Sequence, residues 1–174
     1  MDRFTLDRVG ASPAVFDFQK LDWLNGVYLR ELSPDEYADR LIAYLREQGY
    51  DWDEALVRKS APLVQEKIAT LAEFPAFAGF FFGDVEPDPA LLDGDVLDHA
   101  EQSLADLEPF TTESIEQSLR ALAERLDLKP REAFQPIRVA VTGSKVSPGL
   151  FESIELLGRE RTLERLRNAR AEAA

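Results

Sequence analysis

Apolar side chains recur three and four positions apart along most of this chain. Tyr37, Leu41, Ile42 and Leu45 mark one such stripe, and Leu21, Leu24, Tyr28 and Leu32 mark another upstream. Leu91, Leu92, Val96, Ala100, Leu104 and Leu107 make a third, and Ile115, Leu119, Leu122 and Leu126 a fourth. The punctuation between them is that of helices. Ser12-Pro13, Ser33-Pro34 and Ser147-Pro148 each set a hydroxyl before a proline, which predicts an N-cap followed by the first helical residue. Ser33 with Glu36 forms a capping box, and Gly49 closes that helix. Thr112 is expected to cap the next helix but one. Pro130 and Pro148 open helices that end near Gly143 and Gly158, and residues 159–173 read as a last helix. Residues 137–141 carry a strand-like run, Ile-Arg-Val-Ala-Val, but Pro130 before it and Gly143 after it suit a helix at least as well. The pattern predicts an all-α protein.

The proline-rich acidic stretch at residues 83–89 is the natural linker. It divides the chain into a first helical unit, 1–83, and a second, 84–174. Charge is uneven across that divide. The net charge is −13, which by itself argues against a polyanionic partner. Residues 84–119 hold eleven acids and no Lys or Arg. Residues 129–148 hold four bases (Lys129, Arg131, Arg138, Lys145) against Glu132, and residues 159–170 hold five arginines against two glutamates. Such segregation predicts an acidic face and a basic face on one molecule.

Few constellations for chemistry survive inspection. The chain has no cysteine, which removes disulfides, thiolate metal sites and a cysteine nucleophile. Asp84, Glu86 and Asp88 have the spacing of a calcium loop, but Pro89 stands where the loop needs glycine and Asp95 where it needs a bidentate glutamate. His99-Ala100-Glu101 has the form of a zinc-deaminase motif without the cysteines that would hold the metal. His99 is the single histidine, and Ser60, Ser118 and Ser147 have no partner histidine close in sequence. No phosphate-cradling glycine loop is present. Phe77, Phe80, Phe81 and Phe82 could stack on bases, but core packing between helices is the expected role. No catalytic residue and no metal ligand are expected, and no apolar run is long enough to cross a bilayer.

A family resemblance emerges from longer motifs. The segment FDFQKLDWLNGVYLR, residues 16–30, resembles the FDxxKLxWxNGxYIR segment of bacterial glutamyl-tRNA synthetases. Residues 4–9 (FTLDRV) and 12–15 (SPAV) are similar to the same family. So are PLVQEK at 62–67, with Thr70-Leu71 and Phe74-Pro75 after it. QPIRVAVTG at 135–143, SPGLFE at 147–152 and LLGRER at 156–161 resemble the C-terminal signature. The matches run in order over nearly the whole chain.

The resemblance implies two helical-bundle subdomains forming an anticodon-binding cage, with the anticodon loop of glutamate tRNA as ligand. In the family, an arginine at the end of the PLVQER segment reads the third anticodon base. Here Lys67 stands in its place, and a point charge replaces a bidentate fork. Positions matching the contacts to the other two bases are Arg138, Ser147, Pro148 and Leu150. Taken alone, Arg138 is equally a surface arginine and Ser147 a plain helix cap. The family's ATP-binding signatures are absent, so no catalytic activity is expected of this chain by itself. ATP and magnesium would belong to the catalytic half of a longer parent enzyme, and no cofactor is expected here. That half is an expected partner; membrane and DNA are not. The setting this implies is cytoplasmic. Two other readings stand beside this one: an acidic helical module that binds another protein through an exposed apolar face, and a stand-alone paralogue that charges no tRNA.

Overall fold

A computed structural model describes residues 17–173. The Ser12-Pro13 helix start and the matches over residues 4–9 and 12–16 lie outside the described residues. Among those described, the regular structure is entirely helical: nine α-helices and three short 3-10 turns, with no strand.

The first four helices are α1 (Phe18–Glu31), α2 (Pro34–Glu47), α3 (Glu54–Val64) and the short α4 (Phe74–Ala78). The start of α2 follows its sequence closely. The Ser33 hydroxyl accepts from the Glu36 amide, and the Glu36 carboxylate accepts from the Ser33 amide, so two orphan donors are satisfied reciprocally. Hydrogen bonding to Ser33 holds the Glu36 carboxyl below its ordinary pKa. Tyr37, Leu41, Ile42 and Leu45 then face inward, and all four are buried. They pack with Val57, Ala61 and Val64 of α3 and with Phe74, Phe80 and Phe81 in one apolar cluster. Phe82 stacks on Trp52 with ring centroids 4.3 Å apart. The phenylalanine run is therefore core packing, Phe80 and Phe81 buried and Phe77 and Phe82 partly buried against them.

The remaining helices are α5 (Gly94–Ala105), α6 (Thr112–Arg125), α7 (Pro130–Thr142), α8 (Leu150–Leu157) and α9 (Arg159–Glu172). Their inward faces form a second cluster, from Val96 and Leu97 through Ile115, Leu119, Leu122 and Ile137 to Ile154 and Leu166. Residues 137–141 are helical, and Gly143 takes the left-handed conformation (φ 72°) that ends α7. Some expected boundaries move. Thr111 rather than Thr112 caps α6. Leu91 and Leu92 precede α5, which Asp93 caps.

The two clusters are joined without being merged. Leu156 and Leu157 reach from α8 onto the first cluster, and α3 touches α8. Two α9 arginines bind the stretch between the halves through its backbone. Arg161 donates to the Phe81 and Gly83 carbonyls at 2.7 and 2.9 Å. Arg165, only 7 % exposed, donates to the Phe80 and Gly83 carbonyls at 2.7 Å each and to the Val141 carbonyl. Val141 lies in the last turn of α7, where carbonyls lack intrahelical partners and the helix dipole favours a cation. Burial lowers the Arg165 pKa to about 10, so the group stays charged at neutral pH.

Candidate functional site

Arg138 sits on the one face of α7 that is not core: Ile137, Val139, Ala140 and Val141 around it are all buried. Its guanidinium is half-buried. Nη1 donates to the Ser147 hydroxyl and, at 2.8 Å, to the Pro148 carbonyl. Desolvation draws its pKa down, and the nearby Glu152 carboxylate partly opposes that. The acceptors lie nine and ten residues further on, at the end of a turn that hydroxyls shape. Thr142 Oγ1 donates to the Arg138 carbonyl at 2.8 Å and to the Ser144 carbonyl at 3.1 Å. Ser144 Oγ accepts from the Val146 amide at 3.2 Å. Gly143 opens the turn; its positive φ and the 3.2 Å approach of Val85 to any added Cβ both select glycine.

The predicted role of Ser147 as a helix cap gives way here. α8 begins at Leu150 with Gly149 as N-cap and no side-chain cap bond. The Ser147 hydroxyl is taken by Arg138, and a local capping preference of about 1 kcal/mol yields to a partly buried charge-assisted bond. Pro148 and Leu150, which match base-contact positions of the family, are buried, Leu150 within the second cluster. Arg138, Phe134, Gln135, Arg131, Lys145 and Val146 line an open groove at this place. Thr142 and Ser144 were not singled out from sequence; their signal is the Thr-Gly-Ser run after an apolar helix.

Lys67 lies in the other half, in the turn that follows α3. Its amide donates to the Val64 carbonyl at 2.7 Å, and its side chain is exposed. Anchors flank it on both sides. Buried Gln65 donates through Nε2 to the Leu29 and Leu32 carbonyls at 2.8 and 2.9 Å, capping the C-terminus of α1. Asn25 Nδ2 donates to the Ala69 carbonyl at 2.5 Å, and a Cβ on Gly26 would come within 3.3 Å of the Ala69 backbone. The asparagine-glycine pair of α1 thus seats the turn that carries Lys67. No described hydrogen bond or ion pair joins Lys67 to the Arg138–Ser147 pair.

The expected basic face is smaller than the sequence suggests. Every arginine of α9 has an internal partner. Arg167 pairs with Glu101 at 2.5 Å, Arg170 with Asp98 and Glu101, and Arg159 with Glu108 at 2.7 Å. Arg161 and Arg165 hold backbone carbonyls. The acidic and basic runs lie side by side, α5 against α9, and neutralise each other. Lys129, Arg131, Arg138 and Lys145 remain the basic group of this half.

Comparison with known proteins adds a family. A model of the anticodon binding domain matches residues 36–170. The chain belongs to this anticodon-binding domain family. Among curated relatives of this anticodon-binding domain, the glutamate–tRNA ligase of Acidothermus cellulolyticus is 46 % identical over 186 residues, 97 % of this chain and 37 % of the relative. That of Kocuria rhizophila is 43 % identical, covering 98 % and 37 %. The chain spans little more than a third of these relatives and matches their C-terminal part. A solved glutamate tRNA ligase from Elizabethkingia meningosepticum superposes with a TM-score of 0.78 at 22 % identity, over 97 % of this chain and 35 % of that one. A second, from Elizabethkingia anophelis, gives 0.75 at 24 % identity, and both likenesses speak to the fold. Among the described residues no helix of the domain is long and apolar enough to cross a membrane.

Proposed function

We propose that this chain recognises the anticodon loop of glutamate tRNA, as the C-terminal part of a glutamate–tRNA ligase. The supporting observation is the Arg138 guanidinium, fixed through one nitrogen by Ser147 and Pro148 at the edge of an open groove. Sequence-specific RNA readers act on unpaired bases by bonding to their edges, and a fixed planar donor suits that task. In this reading Arg138 meets a base edge and Ser147 orients it. Pro148 supplies the carbonyl and Leu150 packs in the core behind it, while Lys67 meets a second base as a point charge. ATP and magnesium would be handled by the rest of the enzyme, outside this chain.

A second contact accompanies the first. α1 turns Leu21, Leu24 and Tyr28 to solvent at 43, 39 and 61 % exposure, while only its Gly26 and Leu29 are buried. A helix with such a stripe fits a protein partner, and the catalytic half of the parent ligase is the one this reading supplies.

The test is binding of an anticodon stem-loop of glutamate tRNA, and of one with altered anticodon bases, at several salt concentrations. The expected result is selective binding that weakens as salt rises. Equal binding of both loops, or none at low salt, removes the proposal.

A further inference from the structure

One large apolar side chain of the second half is turned to solvent. Among the described residues the exposed large hydrophobics are Phe18, Leu21, Trp23, Leu24 and Tyr28, all on α1, and Val146, 67 % exposed. Val146 is held where it stands. Its amide donates to Ser144 Oγ at 3.2 Å, and the next residue, Ser147, is tied to Arg138 and to the Pro148 carbonyl. A lone exposed valine calls for no explanation; its surroundings do. Val146 lines the groove that Arg138 lines, and so does Phe134. Phe134 stands four residues before Arg138 on α7, so the two side chains share a face one turn apart. Its ring meets that of Phe151 nearly at a right angle, with centroids 5.5 Å apart. That contact supports the ring, which is only half-buried and keeps part of its surface in the groove. Arg131 and Lys145 line the same groove, both exposed and in no described ion pair.

An unpaired nucleotide asks for three chemistries at once: flat or apolar surface for the faces of its base, donors for the edge, and cations for the phosphates. Phe134 and Val146 offer the first, Arg138 the second, and Arg131 and Lys145 the third. We infer that Phe134 and Val146 are further base-binding residues of this site, holding the faces of the one base whose edge bonds to Arg138. The inference rests on the anticodon-binding reading above.

Two substitutions test the pair. Val146→Ala removes exposed apolar surface and leaves the core untouched. Phe134→Leu keeps an apolar contact with Phe151 but loses the flat ring. The full chain and both variants are titrated with the matching stem-loop, with one altered in its anticodon bases, and with three loops each abasic at one anticodon position. Thermal melts report that each variant is folded. Phe134→Leu is expected to weaken binding of the matching loop roughly five- to a hundred-fold, and Val146→Ala by less. The salt slope is expected to stay the same, because neither variant removes a charge. On one of the three abasic loops the variants are expected to bind as well as the unchanged chain, since the base they would hold is already gone. If the unchanged chain binds selectively and Val146→Ala and Phe134→Leu keep its affinity for the matching loop, the inference is overturned. It is overturned equally if they lose as much on all three abasic loops as on the matching one. If the unchanged chain shows no selective binding, the anticodon reading fails and this inference with it.

Discussion

The turn carrying Lys67 and the turn that holds Arg138 of α7 serve one proposed ligand but are built on opposite plans. At Lys67 the backbone is held on both sides, by Gln65 and by Asn25, while the charged side chain is left to solvent. At Arg138 the side chain itself is held, by Ser147 and Pro148, and the backbone turn is shaped to present those acceptors. A lysine on an anchored turn supplies charge at a place; an arginine anchored by its own guanidinium supplies donors in a direction. Direction discriminates bases, and charge alone serves phosphate and base alike. The second half is therefore expected to set selectivity and the first half to add affinity.

Four substitutions would break or sharpen this contrast. The largest effect belongs to Arg165→Met, which strands the Phe80 and Val141 carbonyls and loosens the join between the halves. It should lower stability by about 3 kcal/mol in urea titration and weaken binding of every loop. Stability unchanged within error would mean the arginine does not hold the halves together. Arg138→Ala should cost roughly ten- to a hundred-fold in binding of the matching stem-loop, and less for an altered one, because about 1–3 kcal/mol of base discrimination leaves with a fixed donor. Equal losses for both loops would reduce Arg138 to the same role as Lys67.

Gly143→Ala should destabilise by about 1 kcal/mol or more through its positive φ, and should blur selectivity by displacing Ser147. Lost stability with selectivity intact would show that the turn tolerates adjustment. Lys67→Arg is the mildest. It should raise discrimination at the third anticodon base a few-fold with little change in melting temperature. Selectivity that stays put would show that Lys67 does not face that base.

What the sequence disclosed and what it hid divide along chain distance. The Ser33 capping box, the Gly143 terminus and the inward stripe of α2 were legible because each depends on neighbours within a turn or two. Thr111 displaced Thr112 by one place because either hydroxyl satisfies the same local pattern. Ser147 was misread as a cap because its actual partner, Arg138, stands nine residues back on another element. Arg165 gave no hint of its carbonyls, which lie 24, 82 and 85 residues away. The arginines of α9 looked like a basic face because a charge run says nothing about what packs across from it. Leu150 looked available because an apolar residue at a helix start reads the same whether it faces a ligand or the core. The Lys67 turn was better served, since Gln65 and Asn25 stood within the recognised motifs, though their bonding to Leu29, Leu32 and Ala69 required the fold.

The linker bears on how the protein would respond to a protease. Asp84, Glu86 and Asp88 are exposed, so the backbone there is the accessible place to cut. Phe80, Phe81 and Gly83, just ahead of it, remain gripped by Arg161 and Arg165, and Leu156 and Leu157 still lie on the first cluster. A nick at that point would leave two peptides that elute together under native conditions and part only in denaturant. The same property would let the halves be produced as separate chains and recombined, each carrying one of the two turns.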